Sequence, residues 1–281
     1  MRSLTLGCAQ FGKGYGFYVN TPEMSSDEIT QILRAASDQG VESLDLAQGY
    51  EGVITNLSGI DCVTSFKLGT KVKYSNASND RLFEALTSDL ESLNASQFES
   101  VLIHDWSDLT SPQRNSGLGF LTQLKNRGVA KLIGISVYEK SELLEISEPI
   151  EVVQAPLNYF NTEFLFDENA INLASNGVSF QARSIFHQGT LLNTRTLLPK
   201  FNIETKNYGE YCKEHGLTSL QGALSIFDSQ DLFTNLVVGV SNTNQLREII
   251  QSPVRSVESM LDEVPRGLSK DLTDPREWTT K

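Results

Sequence analysis

Residues 25–46, SSDEITQILRAASDQGVESLDL, contain a helix, both of its ends and a strand in one unit. Ser25 and Glu28 have the spacing of a capping box, which begins a helix. From Ile29 onward, apolar residues recur at i, i+3, i+4 and i+7, the spacing of one helix face. Gly40 stands where a left-handed residue ends a helix, and the six residues after it predict a strand.

The same unit recurs along the chain. Ser111 and Pro112 predict the N-cap and first residue of another helix, which ends at Gly128 before a strand. A further helix is predicted between Asp167 and Gly177, and a fourth helix face leads into a strand without a glycine. The predicted strands are Leu4–Gly7, Val41–Leu46, Lys67–Val72, Val101–Ile103, Lys131–Ile135, Ile150–Gln154, Val178–Ala182 and Leu236–Val240.

Strands that alternate with helices form a parallel sheet with right-handed crossovers. Eight such strands in about 250 residues predict a closed (β/α)8 TIM barrel, an α/β fold. An open doubly wound sheet would need GxGxxG after the first strand, and Gly12, Gly14 and Gly16 do not have that spacing. We expect residues 1–281 to form one barrel domain, with 252–281 as an extra helix and a tail across the barrel surface.

The composition limits the class of partner. The chain has 23 Lys and Arg against 35 Asp and Glu, a net charge of −12. Such a surface repels phosphate backbones and anionic lipid headgroups, so we expect no nucleic-acid or membrane partner. Cys8, Cys62 and Cys212 form no CxxC pair and predict reduced thiols. No apolar run reaches the ~18 residues of a membrane span, so we expect a cytoplasmic protein.

Four polar residues follow or end predicted strands, where barrel active sites lie. They are Asp45, Tyr50, Lys71 and His104. A tyrosine hydroxyl has a pKa of about 10 and is a weak acid at neutral pH, but a nearby ammonium lowers that pKa. Lys71 would supply the ammonium and Asp45 would keep it charged. The three form a predicted proton relay with Tyr50, and His104 would orient a substrate carbonyl.

These residues lie in motifs whose order and residue types resemble those of the aldo-keto reductases. The motifs are LGCAQFG (6–12), DLAQGY (45–50), TKV (70–72), LIHD (102–105), IGIS (133–136) and VQAPLN (153–158). The resemblance extends to about Ile250 and implies a barrel enzyme that transfers hydride between a nicotinamide nucleotide and a carbonyl or alcohol carbon. It implies that Tyr50 is the general acid, Lys71 its partner, Asp45 the partner of Lys71, and His104 the residue that orients the carbonyl.

The resemblance also implies a cofactor site. Ser136 and Gln154 match positions that bind the nicotinamide carboxamide in the family. Arg183 and Ser184 stand where the family commonly stacks an aromatic ring, so the Arg183 guanidinium would cover the nicotinamide. Gln245 replaces an arginine that often binds the 2′-phosphate in the family. Members of the family generally use NADP(H), so the resemblance implies NADP(H), with NAD(H) as the alternative. The cofactor tail would lie against Gly239, Ser241, Asn242 and Gln245.

The chain departs from the family pattern near the site. Val137 replaces a usual asparagine, and Glu51 and Gly52 follow Tyr50 where the family has Gly-x-x-Glu, which predicts an open active-site mouth. Two other functions stay open: a regulatory barrel that binds nucleotide without turnover, and a Schiff-base lyase that uses Lys71. The segment DPREW (274–278) resembles the end of bacterial members associated with polysaccharide or amino-sugar pathways. We therefore expect a sugar-like or small aldehyde or ketone as substrate.

Overall fold

The computed structural model describes residues 2–14, 23–146, 149–193, 201–255 and 260–278. Its strands are β1 (Leu4–Gly7), β2 (Ser43–Asp45), β3 (Lys67–Val72), β4 (Phe98–Ile103), β5 (Ala130–Ser136), β6 (Val152–Pro156), β7 (Ser179–Arg183) and β8 (Phe233–Gly239). Each strand pairs in parallel with the next, and β8 pairs with β1, so the sheet closes. The predicted (β/α)8 barrel is confirmed.

The helices lie between the strands and after the last one. They are α1 (Ser26–Asp38), α2 (Val53–Leu57), α3 (Asn79–Ser92), α4 (Ser111–Asn126), α5 (Glu168–Ser175), α6 (Asn202–Glu214), α7 (Ser219–Asp228), α8 (Thr243–Gln251), α9 (Met260–Glu263) and α10 (Lys270–Thr273). The predicted capping box of Ser25 and Glu28 is present, and Gly40 follows α1 with a φ of +79°. None of the helices in the described ranges could cross a membrane, because none is both long and apolar enough.

The start of α4 differs from the prediction by one residue. Thr110, rather than Ser111, is the N-cap, and Pro112 is the second helical residue. Gln113 Oε1 accepts hydrogen bonds from the Thr110 amide at 2.9 Å and the Thr110 hydroxyl at 2.8 Å. An N-cap at Ser111 would place Arg114 at the third helical position, and arginine has no acceptor to close a capping box.

The connections after the central strands are uneven. A 3₁₀ helix at Lys140–Glu145 follows β5, whereas α6 and α7 both follow β7. Two predicted strands end one residue too early, each before a polar residue. In the structure β5 includes Ser136 and β7 includes Arg183. These residues pair with neighbouring strands through their backbones, which hydrophobic patterning does not detect.

The segment after α8 returns over the carboxyl end of the barrel. It contains two short helices, α9 and α10, where one was predicted; residues 256–259 and 279–281 lie outside the described ranges. In the loop after β7, a ring nitrogen of buried His187 lies 2.7 Å from the Leu272 carbonyl oxygen, and its ring packs against Trp278. Arg276 donates a hydrogen bond of 2.8 Å to Ser107 in the loop after β4. These contacts attach the tail to the mouth.

Candidate active site

The centre of the site is a buried ion pair between neighbouring strands. Lys71, in β3, places its Nζ 2.6 Å from Asp45 Oδ1 and 2.5 Å from Oδ2, at the end of β2. Lys71 is 1% exposed and Asp45 is 7% exposed. Burial lowers the pKa of Lys71, and the adjacent Asp45 carboxylate opposes that shift by favouring the ammonium. The carboxylate therefore holds a cation in a place that water does not reach.

Tyr50 lies beside this pair in the turn between β2 and α2. Its amide donates to the Ala47 carbonyl at 3.0 Å, and its carbonyl accepts from the Val53 amide at 3.3 Å, where α2 begins. The Lys71 Nζ is 5.6 Å from the centroid of the Tyr50 ring. The His104 ring meets the Tyr50 ring edge to face at 6.0 Å. The phenol is thus flanked by an ammonium and an imidazole.

His104 follows β4 directly and is held through its backbone. Its amide donates to the Val72 carbonyl in β3 at 2.8 Å. Burial, followed by the charges of Lys71, Arg183, Lys73 and Arg276, lowers the pKa of His104 to about 3. The ring is therefore neutral near pH 7, with one nitrogen that donates and one that accepts. Nδ1 is buried and has no hydrogen-bond partner within the described residues.

Ser136 and Gln154 face each other in register on β5 and β6. The Gln154 amide donates to Asp45 Oδ1 at 2.9 Å and to Gln181 at 3.2 Å. The Ser136 hydroxyl is buried and finds no partner in the described part of the chain. A buried hydroxyl without a partner costs free energy that a hydrogen-bonding ligand can recover. This orphaned group fits the predicted contact with a nicotinamide carboxamide.

Arg183 and Ser184 lie at the end of β7, on the same side of the mouth as Ser136. The Arg183 guanidinium donates to the Val137 carbonyl at 2.9 Å and to Ser184 Oγ at 3.3 Å. Its Cζ lies 4.0 Å from the centroid of the Tyr138 ring, so here the guanidinium covers a tyrosine of the protein. Ser184 has a φ of +62°, and its carbonyl accepts from the Asn158 side chain at 3.1 Å.

The segment after β8 uses its polar groups to begin α8. Asn242 is the N-cap and accepts from the Gln245 amide at 3.0 Å, while Gln245 Oε1 accepts from the Ser241 amide at 2.7 Å. Arg247, in the same helix, is exposed and makes one hydrogen bond in the described residues, to Asn244 at 3.4 Å. The interpretation of the sequence did not consider Arg247 because it lies outside the matched motif.

Gln10 is a second residue that sequence reasoning missed. It lies after β1 in the 3₁₀ helix Ala9–Phe11, and its Oε1 is buried without a partner in the described ranges. A Cβ at Gly239 would collide with the Gln10 side chain, so only glycine leaves this space free. Its position in the LGCAQFG motif at a strand end was the available signal. Gln10 and Ser136 provide two orphaned groups that fit a ligand rich in amide and hydroxyl groups.

Comparisons with known proteins identify the family and the fold of the chain. The family model described as "Aldo/keto reductase family" matches residues 3–263. No curated protein matches the chain. A protein of Pseudomonas aeruginosa described as an aldo-keto reductase superposes with a TM-score of 0.66 and 16% identity, over 92% of this chain and 90% of that chain. The thermostable aldo-keto reductase Tm1743, solved with the inhibitor epalrestat, superposes with a TM-score of 0.70 and 20% identity. That match covers 94% of this chain and 96% of that chain. At these identities, the two structures support the fold alone.

Proposed function

We propose that this protein reduces a sugar-like or small aldehyde or ketone with Tyr50 as general acid. The proposal starts from the family, because the chain belongs to the aldo/keto reductase family of oxidoreductases. The observation that carries the proposal is the Lys71 ammonium, which is bound to both Asp45 oxygens and lies 5.6 Å from the Tyr50 ring centroid. A cation held beside a phenol stabilises the phenolate that remains after proton transfer.

The roles of the four residues follow from their contacts. A bound nicotinamide nucleotide supplies the hydride in the reducing direction. Tyr50 donates its phenolic proton to the carbonyl oxygen as that oxygen becomes an alkoxide, and Lys71 stabilises the resulting phenolate. Asp45 keeps Lys71 charged. Neutral His104 donates a hydrogen bond to the same carbonyl oxygen and sets its angle.

Residues on or after β5 to β8 would hold the nucleotide in this proposal. Ser136 and Gln154 bind the carboxamide, the first through its orphaned hydroxyl and the second through its side-chain carbonyl. The Arg183 guanidinium, which here covers the Tyr138 ring, would cover the nicotinamide. We favour NADP(H) over NAD(H), with exposed Arg247 as the cation for the 2′-phosphate, because Gln245 carries no charge and its side-chain oxygen already accepts from the Ser241 amide.

The ion pair argues against a Schiff-base lyase. A lysine nucleophile must be neutral and accessible, whereas Lys71 is 1% exposed and both Asp45 oxygens bind its ammonium. A regulatory barrel that binds nucleotide without turnover is the outcome that the experiment below must exclude.

The test combines binding with turnover. NADPH and NADH are titrated separately by fluorescence, and a panel of aldehydes and ketones is then followed at the nicotinamide absorbance band. We expect tighter NADPH binding, which Arg247→Met weakens without an effect on NADH, and turnover of at least one carbonyl compound. Normal binding without turnover across the panel would support the regulatory barrel, and borohydride trapping of a substrate on Lys71 would support the lyase.

A further inference from the structure

Lys73 lies beside the relay but takes no part in it. It follows β3 and is exposed. A Cβ placed on Gly49, the residue before Tyr50, would be 3.3 Å from Lys73 Cε, 3.8 Å from Lys73 Nζ and 3.9 Å from His104 Nδ1. The ammonium and the unpartnered imidazole nitrogen therefore both lie close to Gly49, and the His104 ring also contacts the Tyr50 ring.

No acidic side chain within the described ranges neutralises Lys73. Other exposed lysines of the barrel strands do have such partners: Lys67 binds Glu42 and Lys131 binds Glu99, each at 2.8 Å. The chain carries 35 Asp and Glu, yet none of those in the described ranges pairs with this lysine at the mouth. The three donors of the Lys73 ammonium are therefore not used by any acidic side chain of the described ranges.

The backbone beside Lys73 is fixed relative to His104. The buried carboxylate of Asp105 accepts hydrogen bonds from the Tyr74 amide at 2.8 Å, the Ser75 amide at 3.0 Å and the Ser75 hydroxyl at 2.5 Å. These bonds attach the segment after Lys73 to the residue after His104. Binding a ligand at Lys73 then requires ordering of its side chain but not of its backbone, which lowers the entropic cost.

The electrostatic field in this part of the mouth is positive although the chain is acidic overall. Lys73, Lys71, Arg183 and Arg276 all act on His104 as nearby positive charges. Of the acidic groups close by, Asp45 is bound to Lys71, Asp274 is bound to Arg276, and Asp105 is bound to backbone amides and a hydroxyl, which leaves Lys73 without an acidic partner in the described ranges. The predicted nucleotide residues lie on or after β5 to β8, whereas Lys73 follows β3.

We propose that Lys73 is a specificity-determining residue that binds an anionic group of the carbonyl substrate, a carboxylate or a phosphate within a few bonds of the carbonyl carbon. An ammonium binds either group as a point charge, and a charge-assisted hydrogen bond is stronger than a neutral one. The substrate class is thus a short oxo acid or a phosphorylated aldehyde. This inference rests on the proposed function, because Tyr50 and His104 place the carbonyl.

The test compares matched substrates in three proteins. The substrates are 4-oxobutanoate against its methyl ester, and glyceraldehyde 3-phosphate against glyceraldehyde, so the two pairs distinguish carboxylate from phosphate. The proteins are the wild type, Lys73→Met and Lys67→Met. Lys67 is the matched control, since it is an exposed lysine at the opposite end of the same strand.

For one of the two pairs, we expect the wild type to favour the anionic member about tenfold in kcat/KM. Lys73→Met should bring that ratio close to one through a higher KM for the anionic member, and Lys67→Met should preserve it. Equal preference in the wild type, or an equal loss for both members in Lys73→Met, overturns the inference and leaves the reductase intact.

A binding measurement separates this inference from the proposed function. Succinate and inorganic phosphate are titrated calorimetrically into each protein saturated with NADPH. Binding that Lys73→Met abolishes and Lys67→Met preserves supports the anion site even if no carbonyl compound is reduced. Binding that is the same in all three proteins, or absent from the wild type, counts against it.

Discussion

The two sides of the barrel mouth differ in how their polar groups are satisfied. On the relay side, after β2 to β4, Asp45 and Lys71 bind each other in a buried pair beside Tyr50. On the cofactor side, after β5 to β8, Ser136 has no partner in the described ranges, and Gln245 bonds to the start of its own helix. The charged pair of the relay side is complete without a ligand, although His104 Nδ1 has no partner in the described ranges, whereas the Ser136 hydroxyl of the cofactor side needs a ligand to be satisfied.

This difference matches the two proposed functions of the mouth, proton transfer on the relay side and nucleotide binding on the cofactor side. Groups that move a proton must have their acidity set in advance, so the chain supplies every charge that they need. Groups that bind a diffusible nucleotide are satisfied only when it is present. Gln154 connects the two sides, because its amide donates to Asp45 at 2.9 Å while its strand lies next to Ser136. The predictions below test this division.

The largest expected effect is at Tyr50. Tyr50→Phe should lower kcat by about 10³-fold, because the general acid is removed, while the Kd for NADPH stays near its wild-type value. Steady-state kinetics and fluorescence titration measure the two quantities. Tyr74→Phe is the control, since that hydroxyl bonds only to Asn79 in the described residues. A Tyr50→Phe protein that keeps most of its kcat would remove this residue from the relay.

Lys71→Met should destabilise the relay side. Asp45 would remain buried with Gln154 as its remaining side-chain donor, and the free energy of unfolding should fall by about 3–5 kcal/mol in urea titrations. The alkaline limb of the residual rate–pH profile should move to higher pH, since the phenol loses the cation that makes it acidic. Lys71→Met with Asp45→Asn should recover much of the stability but not the activity. An unmoved alkaline limb would contradict the assigned role.

His104 should make the relay side sensitive to acid. The pKa of its ring is about 3 in the folded chain, whereas an unfolded histidine titrates at about 6.5. The unfolded state therefore binds the proton more tightly, so the stabilisation is complete above pH 6.5 and declines as pH falls toward 3. Between pH 7 and 4.5 we expect a loss of about 2 kcal/mol in unfolding free energy, and a smaller loss in His104→Gln. The same slope in both proteins would contradict a neutral His104.

The smallest effect is expected on the cofactor side. Ser136→Ala should raise the Kd for the nucleotide by about three- to tenfold, with little change in the stability of the nucleotide-free protein, because this hydroxyl has no partner to lose. Ser225→Ala is a matched buried control with the opposite pattern, since its hydroxyl bonds to the Gly222 carbonyl at 2.8 Å. Unchanged nucleotide affinity in Ser136→Ala would show that this hydroxyl does not bind the nucleotide, and would contradict the proposed difference between the two sides.

Local sequence patterns predicted a helix or strand well where the residues that begin and end it lie within or next to the element itself. The capping box at Ser25 and the glycine after α1 are examples. The prediction was wrong at Thr110, where two adjacent residues can both cap a helix and the third helical residue decides. The orphaned Gln10 could not be predicted, because its burial depends on Gly239 at the far end of the chain.

The sequence by itself determined the order of strands and helices and placed Asp45, Lys71 and His104 at strand ends, because periodicity and end signals act over a few residues. The pair of Asp45 and Lys71 was also expected from the sequence, but only the tertiary structure decided the partners of Gln154 and His187. Gln154 reaches Asp45 across 109 positions of sequence, and His187 reaches the Leu272 carbonyl across 85. Closure of the barrel brings such residues together, because it places strands that are distant in sequence around one shared interior.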